Sequence, residues 1–465
     1  MEGYQLPATQ VLARFKDGSL TVEEYARSLL SRIQQRDATV KAWAYLDPEY
    51  VIKQAKALDQ MPAEQRGPLH GVAVAVKDVI YTKGNKSLHK RVCCAYCCLP
   101  KCAWADMPTQ FNSPIYEVHA PKLDAASVAI LRQAGALLLG KTTTTEFAAT
   151  TVGPKTSNPH DPTRTPGGSS SGSGAAVGDF QATLGVGTQT GGSTIRPGSF
   201  NGIYAFKPTW NSISREGQKI YALLFDTLGL YARSVDDLEL LADIFALHDD
   251  APPPEAPFRV QGARFAVLKT MVWPEVGAGT AAAMDKAAAL LRAHGAEVEE
   301  IELPPEFDDM PHYHRVVLHA EGRVSFLPEY RTAADKLHGF LVGHVENEHN
   351  YTRAEQLRAW DSMAALRPKM DSIAAGYEAI ITPSVPDEAP EGLQSTGSAS
   401  FCSIWTGLHT PTVNVPGFKG ENGLPIGLTL VAPRYHDRHL LAVSKAVGEI
   451  FEAEGGWNRN SSLGV

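Results

Sequence analysis

The segment PGGSSSGSGAAVGDFQATLGVGTQTGGSTIRPGSFNGIYAFKPTW, residues 166–210, decides the reading of this chain. It is dense in glycine, serine and threonine, which on composition alone suggests a linker. Yet AAVGDF (175–180) and TLGVGT (183–188) interrupt it with runs suited to burial, and a flexible linker carries none. On the N-terminal side, GVAVAVKDVI (71–80) reads as a buried strand running into Lys77, preceded by helical periodicity over 21–36 and 48–58. Residues 124–134 read as a helix, and ALLLG (136–140) as a short strand. On the C-terminal side, Ser234 followed by Asp237 resembles a capping box ahead of an amphipathic helix. After a break at PPPEAP (252–257), ARFAVL, a helix over 280–294 and EVEEIEL form a β-α-β pattern. Residues 353–377 look helical, YEAIITPSVP, TPTVNVPG and LPIGLTLV read as strands, and 436–454 closes the chain as a helix. Strands at both ends of the sequence suggest one sheet assembled from distant segments, and no internal repeat of 20 to 50 residues is visible.

The 465 residues are 43% hydrophobic and 20% charged, which excludes a disordered chain. A nominal ~150 residues per domain suggests ~3 domains, but large single-domain enzymes reach this length. The formal charge of −8 leaves no general footprint for nucleic acid, so the expected partner is a small or neutral molecule. No apolar run approaches the ~18 residues that span a bilayer, and the first residues lack a basic stretch followed by an apolar one. Five of the six cysteines fall between Cys93 and Cys102, unlike a disulfide framework, and a reducing, cytoplasmic compartment is expected.

Three local features carry the chemistry: Lys77 at a strand end, the cluster Gly167-Gly168-Ser169-Ser170-Ser171-Gly172, and Thr190-Gly191-Gly192-Ser193. A serine hydroxyl needs a base to attack an amide carbonyl, and Ser/Lys arrangements are one alternative to Ser/His/Asp. Lysine serves only when neutral, which requires its pKa to fall by roughly 3 units from ~10.4, within reach of burial. Asp78 would oppose that shift if it faced inward, but strand alternation points it the other way. Consecutive N–H groups around glycines can converge on an oxyanion. Taken singly, each feature also fits a glycine-rich turn or a solvated lysine.

The 166–210 segment closely resembles the signature of the amidase signature family, whose common form is GGSSGG, then GTDxGGSIR, then GxKPT. GVAVAVKD at Gly71, LLGKTTTTEFA at Leu138, DTLGLYARSVDDLELL at Asp226 and LPIGLTLV extend the resemblance over roughly 20–245 and 378–450. It implies an α/β/α sandwich with a large mixed sheet covered by helices. It also implies a single amidase domain over 1–465, with 250–375 a variable substrate-side segment. Lys77 is the implied general base, Ser169 a bridging serine presented by a cis peptide bond, and Ser193, 24 residues on, the nucleophile. Thr190, Gly191, Gly192 and Ser193 would supply the oxyanion N–H groups, and Ser170 would help orient Lys77. The resemblance implies neither cofactor nor metal.

Gln189 stands where the common form has aspartate, and Arg196 follows the nucleophile by three residues rather than two, so no substrate role is given to Arg196. Ser171 replaces a usual glycine and Ala73 a usual proline; neither removes a reacting group. The expected reaction is cofactor-free hydrolysis of a small carboxamide through a seryl acyl-enzyme. The expected partner is the amide substrate, with no nucleic acid, no membrane, and a homodimer allowed. Two alternatives stay open: the amidase subunit of a tRNA-dependent amidotransferase, and a catalytically inactive amidase-fold binding protein.

KSLHKRVCCAYCCLPKCAWAD (86–106) looks inserted, since its removal joins YTKGN smoothly to MPTQFNSPIY. It reads as a surface insertion or a gene-model artefact; a zinc loop built on His89, Cys94 and Cys97 has weak spacing. Gly135 to Thr142 fits the phosphate-loop pattern GxxxxGK[ST], but it follows a helix and its middle is three leucines suited to a strand. His312, His314 and His409 are expected to be core or surface residues, because the mechanism needs no imidazole.

Overall fold

The computed structural model describes residues 2–83, 107–251 and 256–464. The proposed insertion, with His89, Cys94 and Cys97, lies outside them. Among the described residues eleven strands form one mixed sheet. In chain order they are β1 (Trp43–Leu46), β2 (Ala73–Lys77), β3 (Leu137–Thr142), β4 (Leu184–Gln189), β5 (Tyr204–Lys207) and β6 (Thr227–Ala232), then β7 (Arg264–Leu268), β8 (Glu297–Ile301), β9 (Ala379–Pro383), β10 (Thr412–Lys419) and β11 (Pro425–Val431). Across the sheet the order is β1-β3-β2-β4-β6-β5-β10-β11-β9-β7-β8. The last three strands in sequence thus lie between the N-terminal block and β7-β8, as the strands at both chain ends suggested.

Pairing explains the residue patterns. β2 runs parallel to both β3 and β4, and β7 parallel to β8 and β9, whereas β4, β6, β5, β10, β11 and β9 pair antiparallel in succession. β2, β3, β4, β5, β6, β9 and β11 are buried at every position, so helices and loops cover both of their faces. The half-exposed EVEEI of β8 and WAYL of β1 occupy the two edges, where polar side chains meet water. Among the described residues no helix is long and apolar enough to cross a membrane.

Helix boundaries follow their caps. Thr21 and Glu24 form a capping box on Val22–Val40, and Thr352 and Glu355 do so on Arg353–Ala374. Ser234 accepts from Asp237 N–H as expected, but the Asp237 carboxylate does not reach back to complete a box. It accepts instead from the N–H groups of Ala8 and Thr9, at 2.9 and 3.1 Å, and docks the N-terminal segment. The phosphate-loop pattern dissolves into β3: Lys141 is buried, donating to Ile80 O and Thr109 Oγ1 and pairing with Asp78 at 3.3 Å.

Two glycines let the serine-rich segment pack into the sheet. The helix Ser171–Gly178 lies on β2 and β4, and a Cβ on Gly172 would stand 2.2 Å from Ala42 O and 2.5 Å from Thr143 N. On Gly187 of β4, a Cβ would meet Ser170 Oγ at 2.7 Å. Any side chain at either position would push the serine cluster away from Lys77.

Candidate active site

Lys77 closes β2 with its side chain fully buried. Its Nζ donates to Ser169 Oγ and to Thr188 Oγ1, each at 2.8 Å. Burial holds its pKa well below the ordinary lysine range; the Asp226 carboxylate opposes this and the Arg196 guanidinium reinforces it. Asp78 turns to Lys141, as strand alternation suggests, and pairs with it at 3.3 Å. A neutral amine at this position can accept the Ser169 hydroxyl proton along the same 2.8 Å line.

Ser169 follows a cis peptide bond from Gly168. Arg196, given no role from sequence, donates from Nε and Nη2 to Gly168 O at 3.2 and 2.5 Å, and from Nη1 to Gly397 O. Its guanidinium is buried, which pushes its pKa down to about 10. Ser170 sits one step from the lysine: its Oγ donates to Thr188 O at 3.2 Å and accepts from Thr188 N–H at 3.3 Å. It fixes the residue that gives Lys77 its second partner. Thr188 was given no role from sequence, and its place directly before Gln189 is the local sign of it.

The turn from Thr190 to Ser193 shows how an oxyanion site can be built from behind. All four of its carbonyls are engaged: Thr190 O with His314 Nε2 (2.9 Å), Gly191 O with Thr406 Oγ1 (2.7 Å), Gly192 O with Arg196 N–H (2.9 Å) and Ser193 O with Tyr231 OH (3.1 Å). Among the described residues the N–H groups of Gly191, Gly192 and Ser193 have no protein acceptor. Carbonyls pinned on one side leave donors free on the other, the arrangement that stabilises developing negative charge. Ser193 Oγ likewise makes no hydrogen bond within the described protein, so the chain of contacts is closed between Lys77 and Ser169 and open towards Ser193. Lys77, Ser169 and Ser193 are 0, 3 and 8% exposed, which keeps bulk water from the amine while leaving the last serine the most accessible.

Gln189 explains its departure from the acidic residue of the common pattern. Its Oε1 accepts from the N–H groups of Thr194 and Ile195, at 2.8 and 3.0 Å, while its Nε2 donates to Thr406 Oγ1 at 3.0 Å. A carboxylate could accept but not donate. Thr190 Oγ1 donates to Asp226 at 2.6 Å, and burial pushes the Asp226 pKa up to about 6. His314 is no surface residue: it stacks on Phe225 at 4.3 Å, and burial pushes its pKa down to about 4, so a neutral imidazole meets Thr190 O. It comes from the helix Met310–Ser325, within the segment that carried fewest chemical signals. His409 stacks on Trp210 at 4.3 Å and bonds Leu224 O, as a core histidine does.

The family model described as Amidase matches residues 24–97 and 101–441. The chain belongs to the amidase family. It is therefore an enzyme of the amidase type, acting on C–N amide bonds. Similar relatives include a glutamyl-tRNA(Gln) amidotransferase subunit of Streptomyces coelicolor, 30% identical over 97% of each chain, and that of Symbiobacterium thermophilum, 32% identical over 96% of each. Among solved structures, a crystal structure of an amidase is 26% identical, with a TM-score of 0.81 over 96% of this chain and 99% of that one. The glutamyl-tRNA(Gln) amidotransferase subunit of Thermotoga maritima is 23% identical, with a TM-score of 0.73 over 96% and 95%, a likeness of fold.

These relatives overturn two expectations. A self-standing hydrolase of a small carboxamide was the first reading, and its partner was to be the amide alone, with nucleic acid excluded and a homodimer allowed. Relatives about 30% identical over 96–97% of the chain are instead subunits of an amidotransferase named for glutamyl-tRNA(Gln). The first reading rested on the acyl-transfer site and on net charge, and both are silent about assembly: the same hydroxyls and amine serve a free hydrolase and a subunit.

Proposed function

We propose that this chain is the amidase subunit of a tRNA-dependent amidotransferase, hydrolysing the side-chain amide of glutamine to deliver ammonia to partner subunits. Similarity to an amidotransferase subunit over 97% of both chains carries this reading. The net charge of −8 supports a division of labour in which partner subunits meet the tRNA phosphates. The chain acts as a single amidase domain, with 250–375 on the substrate side, which the reach of His314 to Thr190 supports. A cytoplasmic setting belongs to the same reading.

Ser193 attacks the amide carbonyl as its proton passes to Ser169 Oγ and the Ser169 proton passes to neutral Lys77. The oxyanion is held by N–H groups of Thr190, Gly191, Gly192 and Ser193. Collapse breaks the C–N bond, and the proton returns from Lys77 through Ser169 to the nitrogen, which leaves as ammonia. Water then cleaves the acyl-enzyme by the same relay, releasing the carboxylate and restoring Ser193. Ser170 holds Thr188, and through it Lys77. The test is to isolate the chain from its own cells and assay ammonia release from glutamine with and without its copurifying subunits and glutamyl-tRNA. Stimulation by both supports the reading. A chain that purifies alone, with release indifferent to tRNA, overturns it.

A further inference from the structure

Away from the serine relay, on the far part of the helix Met310–Ser325, a second group of donors converges. Side-chain ligand atoms of His319, Glu348 and His349 all lie within 4.8 Å of one another. His319 is 8% exposed, yet neither of its ring nitrogens has a hydrogen-bond partner among the described residues. The ring nitrogens are not sealed from solvent, so with a carboxylate and a second imidazole in reach a lone pair of His319 is open to an ion.

The surroundings hold that ring in place. His344 stacks on it at 4.0 Å and 25°, and His349 meets it edge-on at 4.3 Å and 83°. His344 cannot itself be a ligand without breaking other bonds, because its Nδ1 meets Phe340 O at 2.9 Å and its Nε2 meets Tyr221 OH at 2.7 Å. Glu348 and His349 are each about half exposed, with side-chain exposures of 47 and 45%, and already stand 3.6 Å apart.

We propose that His319, Glu348 and His349 bind a divalent transition-metal ion of the zinc type, with water completing the coordination. Two imidazoles and one carboxylate suit zinc and its neighbours rather than magnesium or calcium, which prefer all-oxygen sites. Ligands ~2.1 Å from a tetrahedral ion stand about 3.4 Å apart, so the exposed pair closes by up to about 1.4 Å around the fixed His319. A bound ion would tie the 347–352 turn to the helix that carries His314, and so brace the contact with Thr190 O.

The full chain, stripped with a chelator and dialysed, is to be titrated with Zn2+ by calorimetry, with Co2+ absorption as a spectroscopic probe. Thermal melts follow with and without Zn2+. His349→Ala and Glu348→Gln, both at exposed positions, serve as variants that keep the core intact, with His319→Ala as a third. The expected result is one fewer Zn2+ bound per chain in His349→Ala than in the parent. Loss of the Zn2+-dependent rise in Tm and at least a tenfold weaker affinity in Glu348→Gln are also expected. Since the cysteines of 93–102 could also take zinc, the comparison is of the variants against the parent and not of total metal. Equal stoichiometry, affinity and Tm shift in parent and variants would overturn the proposal, as would no Zn2+ binding at all.

Discussion

Arg196 grips the carbonyl oxygen of Gly168 with two of its nitrogens, one residue ahead of Ser169. The guanidinium, one position further from Ser193 than in the common pattern, fixes the backbone that presents the Ser169 hydroxyl. Arg196→Lys keeps the charge but loses the fork, so kcat should fall about 10- to 100-fold, the worth of one charge-assisted bond, with KM little changed. Steady-state kinetics beside a thermal melt separate this from unfolding; unchanged kcat would remove Arg196 from the site.

Replacing the amine tests the base. Lys77→Met preserves bulk in the buried slot and should lower ammonia release by about 10²- to 10⁴-fold, the usual contribution of a general base. Labelling of Ser193 by a fluorophosphonate should slow in parallel. Full turnover in this variant would contradict the relay.

The pH profile follows from the same amine. Its folded pKa lies well below the ordinary value, so kcat/KM should fall as pH drops through that folded value, where Lys77 takes up its proton. Because the Asp226 carboxylate raises the Lys77 pKa, Asp226→Asn should move this acidic limb to lower pH. Stability has a matching sign. Between the folded value and ~10.4 the unfolded chain binds the extra proton, so this group's contribution declines as pH falls across that window and is flat below it. Melts of the parent and Lys77→Met across the alkaline range check the difference, which should vary with pH.

Gln189→Glu restores a carboxylate. It keeps acceptors for Thr194 and Ile195 but offers none of the N–H that Thr406 Oγ1 now accepts. Thr406 should then turn towards the carboxylate and release Gly191 O. A loss of about 1 to 3 kcal/mol in stability is expected from the buried mismatch, with kcat down about tenfold. An unchanged melt would show that the amide's donor is dispensable.

The sequence made β2, β3 and the helix ends legible because periodicity and caps are local. Lys77, Ser169 and the 190–193 turn stood out because their neighbours along the chain announce them. His314, Thr406 and Arg196 did not. Their partners lie 124, 215 and 28 residues away, and no local pattern marks a side chain whose role is to hold a distant carbonyl. β1 was missed for a related reason: four residues at a sheet edge, only one of them buried, have too little periodicity to register. The GxxxxGK[ST] match shows the converse, a local pattern that the sheet absorbs as β3.

The turn between Thr190 and Ser193 owes its shape to side chains reaching it from a helix near residue 314, another near 406 and a strand near 231. Under the proposed relay, the aim of its N–H groups is therefore a property of the whole body of the protein. A substitution or a docking event that tilts one of those distant props retunes the reaction while every reacting atom stays as it was, which gives selection and assembly a common lever on rate.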